Sequence, residues 1–144
     1  MSHRPRGFTL LELAAVIAII GILSSLAAPV LVVAVRRSRA TEARSLLESI
    51  ADAELQYWRD HGKYLACPPS PAAVPHGSAL WSGGAAWEQL GMRVVGPVAY
   101  QYAVELDGAS FKVLASGDLD SDGKRSAYAL DGKTLELTAT DELE

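Results

Sequence analysis

Cysteine is nearly absent: Cys67 is alone in 144 residues, so the chain can form no internal disulfide. Its folded part must be held by packing or by some other link. Basic charge is also in deficit, with 13 Lys and Arg against 17 Asp and Glu and a formal charge of −4. That balance argues against direct nucleic-acid binding, which needs a basic footprint. His3, His61 and His76 are scattered singly, and Cys67 has no ligand-type neighbour, so zinc spacing is missing. A Gly-rich phosphate loop closed by Lys-Ser or Lys-Thr is missing too, and no serine sits in a nucleophile's context. No catalytic residue is expected.

What is present begins with residues 13–35, a run of 23 without a charge. A helix crosses a bilayer core with about 20 apolar residues. Glu12 stands at the mouth of this run, where a carboxylate in hydrocarbon costs roughly 2.5–3.5 kcal/mol. A charge at that cost calls for a partner or a task. Before it comes a short polar start with His3, Arg4, Pro5 and Arg6. An ordinary secretory signal has a shorter apolar stretch, cut on its far side. An uncleaved signal anchor would leave Glu12 and the Gly7–Phe8 junction unexplained.

The hexamer Gly7-Phe8-Thr9-Leu10-Leu11-Glu12, the basic leader and Pro29 together resemble the N-terminus of type IV prepilins. That family takes in type IV pilins, minor pilins and the pseudopilins of type II secretion. The resemblance is close over the leader and about the first fifty residues. It implies cleavage by a prepilin peptidase between Gly7 and Phe8, N-methylation of Phe8, and an assembly role for Glu12. It also implies related pilin subunits as filament partners, driven by an assembly platform with a cytoplasmic ATPase. The precursor would sit in the bacterial inner membrane with a periplasmic head, and later in a surface pilus or a periplasmic pseudopilus. Charge counting does not orient it, because Arg36, Arg37 and Arg39 follow the run as Arg4 and Arg6 precede it. Many type IV pilins close a C-terminal loop with a disulfide, and this chain departs from them there.

The expected organisation is a leader over 1–7, a transmembrane and assembly helix over 8–35, and a soluble head over 36–144. Gly21, Ser24, Ser25 and Pro29 are weak helix formers, and Pro29 lacks an N–H. A kink at Pro29, or loosening over 21–29, is therefore expected. The helix continues through 36–61, where Ala43, Leu46, Leu47, Ile50, Ala53 and Tyr57 recur as one apolar stripe and Gly62 stops it. Pro and Gly density makes residues 62–97 loop-like, with a short helix near 85–90. Strands follow at 98–106, 110–116, 126–130 and 134–138, with Asp107-Gly108 and Asp131-Gly132 as turns. The fold class is α+β: a long N-terminal helix packed on a small antiparallel sheet.

One cluster remains. Asp118, Asp120 and Asp122 alternate, and Gly123 takes the sixth place, as at the start of a calcium loop. The Lys124 carbonyl, the Ser126 side chain and Asp131 could add oxygens, but the twelfth position is Ala129 rather than Glu. Calcium and a polar inter-strand turn both stay open. The preferred function is a structural subunit of a pilus serving motility, adhesion or DNA uptake. The alternatives are a type II secretion pseudopilin and a membrane-anchored binding domain.

Overall fold

The computed structural model describes residues 7–141, with the side chains of Ala28 and Pro29 outside that description. The chain falls into two compact units, residues 1–35 and 36–144.

In the first unit, residues 7–9 are irregular and helix α1 (Leu10–His61) begins after them. Its Leu, Ile and Val side chains up to Val35 stand exposed, and the segment is long and apolar enough to cross a membrane. The backbone stays helical through 21–29, and Ser25 Oγ donates to the Ile22 carbonyl at 2.7 Å. The bend expected at Pro29 turns on its ring, which lies outside the described side chains. The leader residues before Gly7, with His3, Arg4 and Arg6, also lie outside the described residues.

The second unit sets residues 36–61 of α1 against a five-stranded antiparallel sheet. Its strands are β1 (Cys67–Ser70), β4 (Gln101–Asp107), β5 (Ser110–Gly117), β6 (Ser126–Asp131) and β7 (Leu137–Thr140), side by side in that order. Between β1 and β4 the chain forms β2 (Ala79–Leu80), α2 (Ala85–Gln89) and β3 (Pro97–Val98), with β2 and β3 paired. Alternation along β5 turns Phe111, Val113 and Ala115 inward, and Tyr102, Val104, Tyr128 and Leu130 join them from β4 and β6. Ala43, Leu47, Ile50 and Tyr57 of α1 are buried in the same core. Each large apolar side chain fully buried there contributes about 1.5–3 kcal/mol.

Three details differ from the sequence expectation. The Pro-rich start of the loop region is a strand: Cys67 pairs with Val104 and Ser70 with Tyr102, across an irregular register. Pro68 and Pro69 lack the N–H a central strand would need, but β1 is an edge, where prolines are tolerated. Trp87 Nε1 ties α2 to this edge by donating to the Pro68 carbonyl at 2.9 Å. The strand expected from residue 98 is divided, since Val98 belongs to β3 and β4 begins at Gln101. The last strand starts three residues late because Asp131 Oδ1 accepts the N–H groups of Lys133 and Thr134, and Leu135 takes a left-handed φ of 57°.

Candidate functional site

The N-terminal site is built by the first turn of α1. Thr9 is the N-cap, and its Oγ1 accepts the Glu12 N–H at 3.1 Å. In return the Glu12 Oε2 accepts the Thr9 N–H at 3.3 Å. This is a reciprocal capping box, which satisfies two of the helix's orphan donors. Phe8 precedes the cap and is 81% exposed, beside Gly7 and outside the helix. Phe8 and Glu12 therefore do not share a helical face in this chain. The carboxylate lies instead on the N–H of the residue that follows Phe8. The signal for this cap is Thr-x-x-Glu ahead of an apolar run, Thr9 to Glu12.

A second cluster occupies the β5–β6 connection. Candidate ligand atoms of Asp118, Asp120 and Asp122 lie within 4.8 Å of one another. Asp118 is 1% exposed and its Oδ2 accepts the Gly123 N–H at 3.2 Å, with His76 Nδ1 at 2.9 Å. Burial pushes the Asp118 carboxyl up, but His76 and the backbone N–H groups of Gly123 and Ser121 outweigh it and hold it below the usual carboxylate range. The 75–77 segment is fixed alongside, since Gly77 N–H donates to the Asp118 carbonyl at 3.0 Å. From α1, Arg36 Nη2 meets Asp120 Oδ2 at 2.8 Å, and Arg39 Nη1 donates to the Leu119 carbonyl at 3.3 Å. Asp122 Oδ1 accepts the Lys124 N–H at 2.8 Å.

Two residues considered as further oxygen donors are elsewhere. Ser126 is fully buried, and its Oγ donates to Tyr100 Oη at 2.9 Å. Asp131 ends β6, five residues along the strand, about 17 Å at 3.3 Å per residue. There it caps its own turn. His76, 42 positions from Asp118, is the neighbour that linear spacing concealed.

Comparison with known proteins bears on the first site. The model of the prokaryotic N-terminal methylation motif matches residues 2–28. A type IV major pilin protein PilE1 of Neisseria gonorrhoeae is 38% identical over 78 residues, covering 49% of this chain and 47% of the relative. The type IV major pilin protein PilA of Myxococcus xanthus (strain DK1622) is 39% identical over 61 residues, 42% of this chain and 28% of the relative. The chain thus spans about half the length, or less, of the curated relatives it matches. No solved structure matches it. The methylation motif thus falls on the residues that build the capping box, and the chain is similar over part of its length to type IV major pilins.

Proposed function

We propose that this chain is a structural subunit of a type IV pilus-like filament and not an enzyme. Its precursor is held in the inner membrane by residues 8–35, with the head of residues 36–144 in the periplasm. A prepilin peptidase removes residues 1–7 and methylates Phe8. Subunits of the same or a related kind then assemble through α1, on a membrane platform powered by a cytoplasmic ATPase.

The observation that carries this reading is Glu12 at the mouth of an uncharged helix, within a matched methylation motif. Its carboxylate lies next to the junction where cleavage would create an ammonium. In low dielectric an unpaired carboxylate is costly, and a chain that offers an ammonium at the right depth relieves it. Such a pair selects axial register as well as association.

The test is a deletion strain imaged for surface filaments beside a secretion assay. Loss of filaments, restored by the intact gene, supports the pilus reading. Filaments retained with secretion lost would assign the chain to a type II secretion pseudopilus instead. With both retained, the chain is a membrane-anchored binding domain.

A further inference from the structure

The two edges of the five-stranded sheet are built differently. At the β1 edge, Pro68 and Pro69 have no N–H to offer, and Trp87 of α2 takes the Pro68 carbonyl at 2.9 Å. That edge is blunted and partly covered. At the other edge β7 reads Leu137-Thr138-Ala139-Thr140, with no Pro, Gly or charge within it. Among the described residues only β6 pairs with it, and Thr138, Ala139 and Thr140 are exposed. An open edge of this kind is a template for another strand.

The ladder fixes which groups that edge offers. Asp131 N–H donates to the opposite Glu136 carbonyl at 3.1 Å, and the pairing continues through Leu130–Leu137, Ala129–Thr138 and Tyr128–Ala139. Hydrogen-bonded and non-hydrogen-bonded pairs alternate along an antiparallel ladder. Thr138 and Thr140 therefore turn their N–H and C=O toward β6, and Leu137 and Ala139 turn theirs to the open side. Side chains alternate as well. Leu137 packs against the core and Ala139 lies opposite buried Tyr128, so both share the core side of the sheet. Thr138 lies on the other side, opposite Ala129.

Charge decides the occupant. Glu136 precedes β7 and Asp141 follows it, both exposed, and the sequence runs on into Glu142 and Glu144. Two copies of β7 laid antiparallel would bring Glu136 of each toward Asp141 of the other. Laid parallel, they would set each acid beside its own counterpart. Both arrangements oppose like charges across the pair, which is destabilising. We infer that β7 takes up an extended basic segment of a different protein, which adds to the sheet as a sixth strand. Its backbone meets the N–H and C=O of Leu137 and Ala139. Lys or Arg at each end answers Glu136 and Asp141. Apolar residues beside Leu137 and Ala139 extend the core, and a polar one lies beside Thr138. This edge belongs to the head and does not rest on the filament reading.

The experiment follows backbone amides of the isotope-labelled full chain in detergent micelles by NMR. The probe is a synthetic peptide, Lys-Val-Thr-Val-Lys, blocked at both ends. Saturable shifts confined to β7 and adjoining β6 are expected, largest at Leu137 and Ala139 and weakened by added salt. Glu-Val-Thr-Val-Glu should leave these amides in place. Ala139→Pro removes an outward donor without touching a bond to β6, so binding should weaken about tenfold while the rest of the spectrum persists. Glu136→Lys, an exposed change, should weaken binding of the basic peptide and admit the acidic one. No saturable shift, shifts centred elsewhere in the head, or equal binding of the two peptides overturns the inference. Parent-like binding by Ala139→Pro, or an unaltered peptide preference in Glu136→Lys, does so too. A concentration-dependent shift of Leu137 and Ala139 without peptide would show β7 closed by a second copy, and would overturn it as well.

Discussion

Thr9 and Glu12 hold one another across the first turn of α1, hydroxyl to N–H at 3.1 Å and carboxylate to N–H at 3.3 Å. The same carboxylate thus has a local structural task and, on the proposed function, an intermolecular one. The two can be separated because glutamine closes a capping box as glutamate does. Glu12→Gln keeps the cap and removes the charge, whereas Glu12→Ala removes both. If charge pairing drives assembly, both variants should insert and be processed normally while filament yield collapses in each. Normal yield from Glu12→Gln beside a defect in Glu12→Ala would reduce Glu12 to a cap. Filament counts by electron microscopy, with immunoblots for processing, decide it.

Processing has its own readout. Cleavage at Gly7–Phe8 leaves a chain of 137 residues beginning with methylated Phe8. Intact-mass spectrometry of the assembled protein should find that species. A chain that still carries residues 1–7 in filaments would sink the proposed maturation. Replacing Gly7 with a bulky residue should block the cut and trap the precursor in the membrane.

The stripe on α1 hides a titratable group. Glu54 is fully buried among apolar neighbours, with Oε2 accepting the Leu65 N–H at 3.0 Å. Oε1 has no hydrogen-bond partner among the described residues. Burial raises its pKa above 4.5, and the Leu65 bond opposes this without cancelling it. Cys67, nearby on β1, is pushed up to about 12 by its own burial and by Glu54, so it stays a thiol at neutral pH. A raised folded-state pKa means Glu54 contributes stability below pH 4.5 that is lost as pH rises through the folded value. The unfolding midpoint should therefore fall as pH rises from about 4.5, this group lowering the unfolding free energy by at most about 1.4 kcal/mol per pH unit. Glu54→Gln should flatten that slope and stabilise the protein at neutral pH. A pH series of thermal melts that is identical for parent and variant would contradict it.

Which features could be read from residues alone follows from how local their causes are. The β4–β5–β6 meander was legible because alternation along 110–117 and the Asp-Gly turns are short-range signals. The amphipathic half of α1 was legible for the same reason, at a period of 3.6. β1 was not, since Pro68 and Pro69 read as breakers and only its place at the sheet edge makes them harmless. The burial of Glu54 is not legible, because a carboxylate reads as a surface residue until its surroundings are known. At the acidic loop the alternation of the three Asp is legible, but His76 arrives from a distant segment. Spacing brings Asp131 to the loop only if the strand's extended rise is ignored, and Ser126, at the start of β6, is instead buried against Tyr100.

The two Asp-Gly turns look alike in sequence and differ in what they require of glycine. Gly108 has a left-handed φ of 60° with open space where a Cβ would go. Gly132 is not left-handed, but an added Cβ would lie 2.5 Å from the ring of Phe111, a fully buried core residue, and 2.7 Å from its carbonyl oxygen. The Gly132 N–H also donates to that carbonyl at 2.8 Å, so the backbone cannot retreat without losing a bond. Gly108→Ala should therefore cost only the strain of a left-handed alanine, about 1 kcal/mol. Gly132→Ala must displace Phe111 or break the turn, and overpacking of that kind costs about 1–3 kcal/mol. Combining Gly132→Ala with Phe111→Leu relieves the contact with the ring, though not that with the carbonyl, so the double variant should lose less than the two single losses added together. Denaturant melts of the four variants and the parent measure this coupling. Additive losses, or a Gly132→Ala chain as stable as Gly108→Ala, would show that the turn yields freely and that Phe111 does not dictate glycine at position 132.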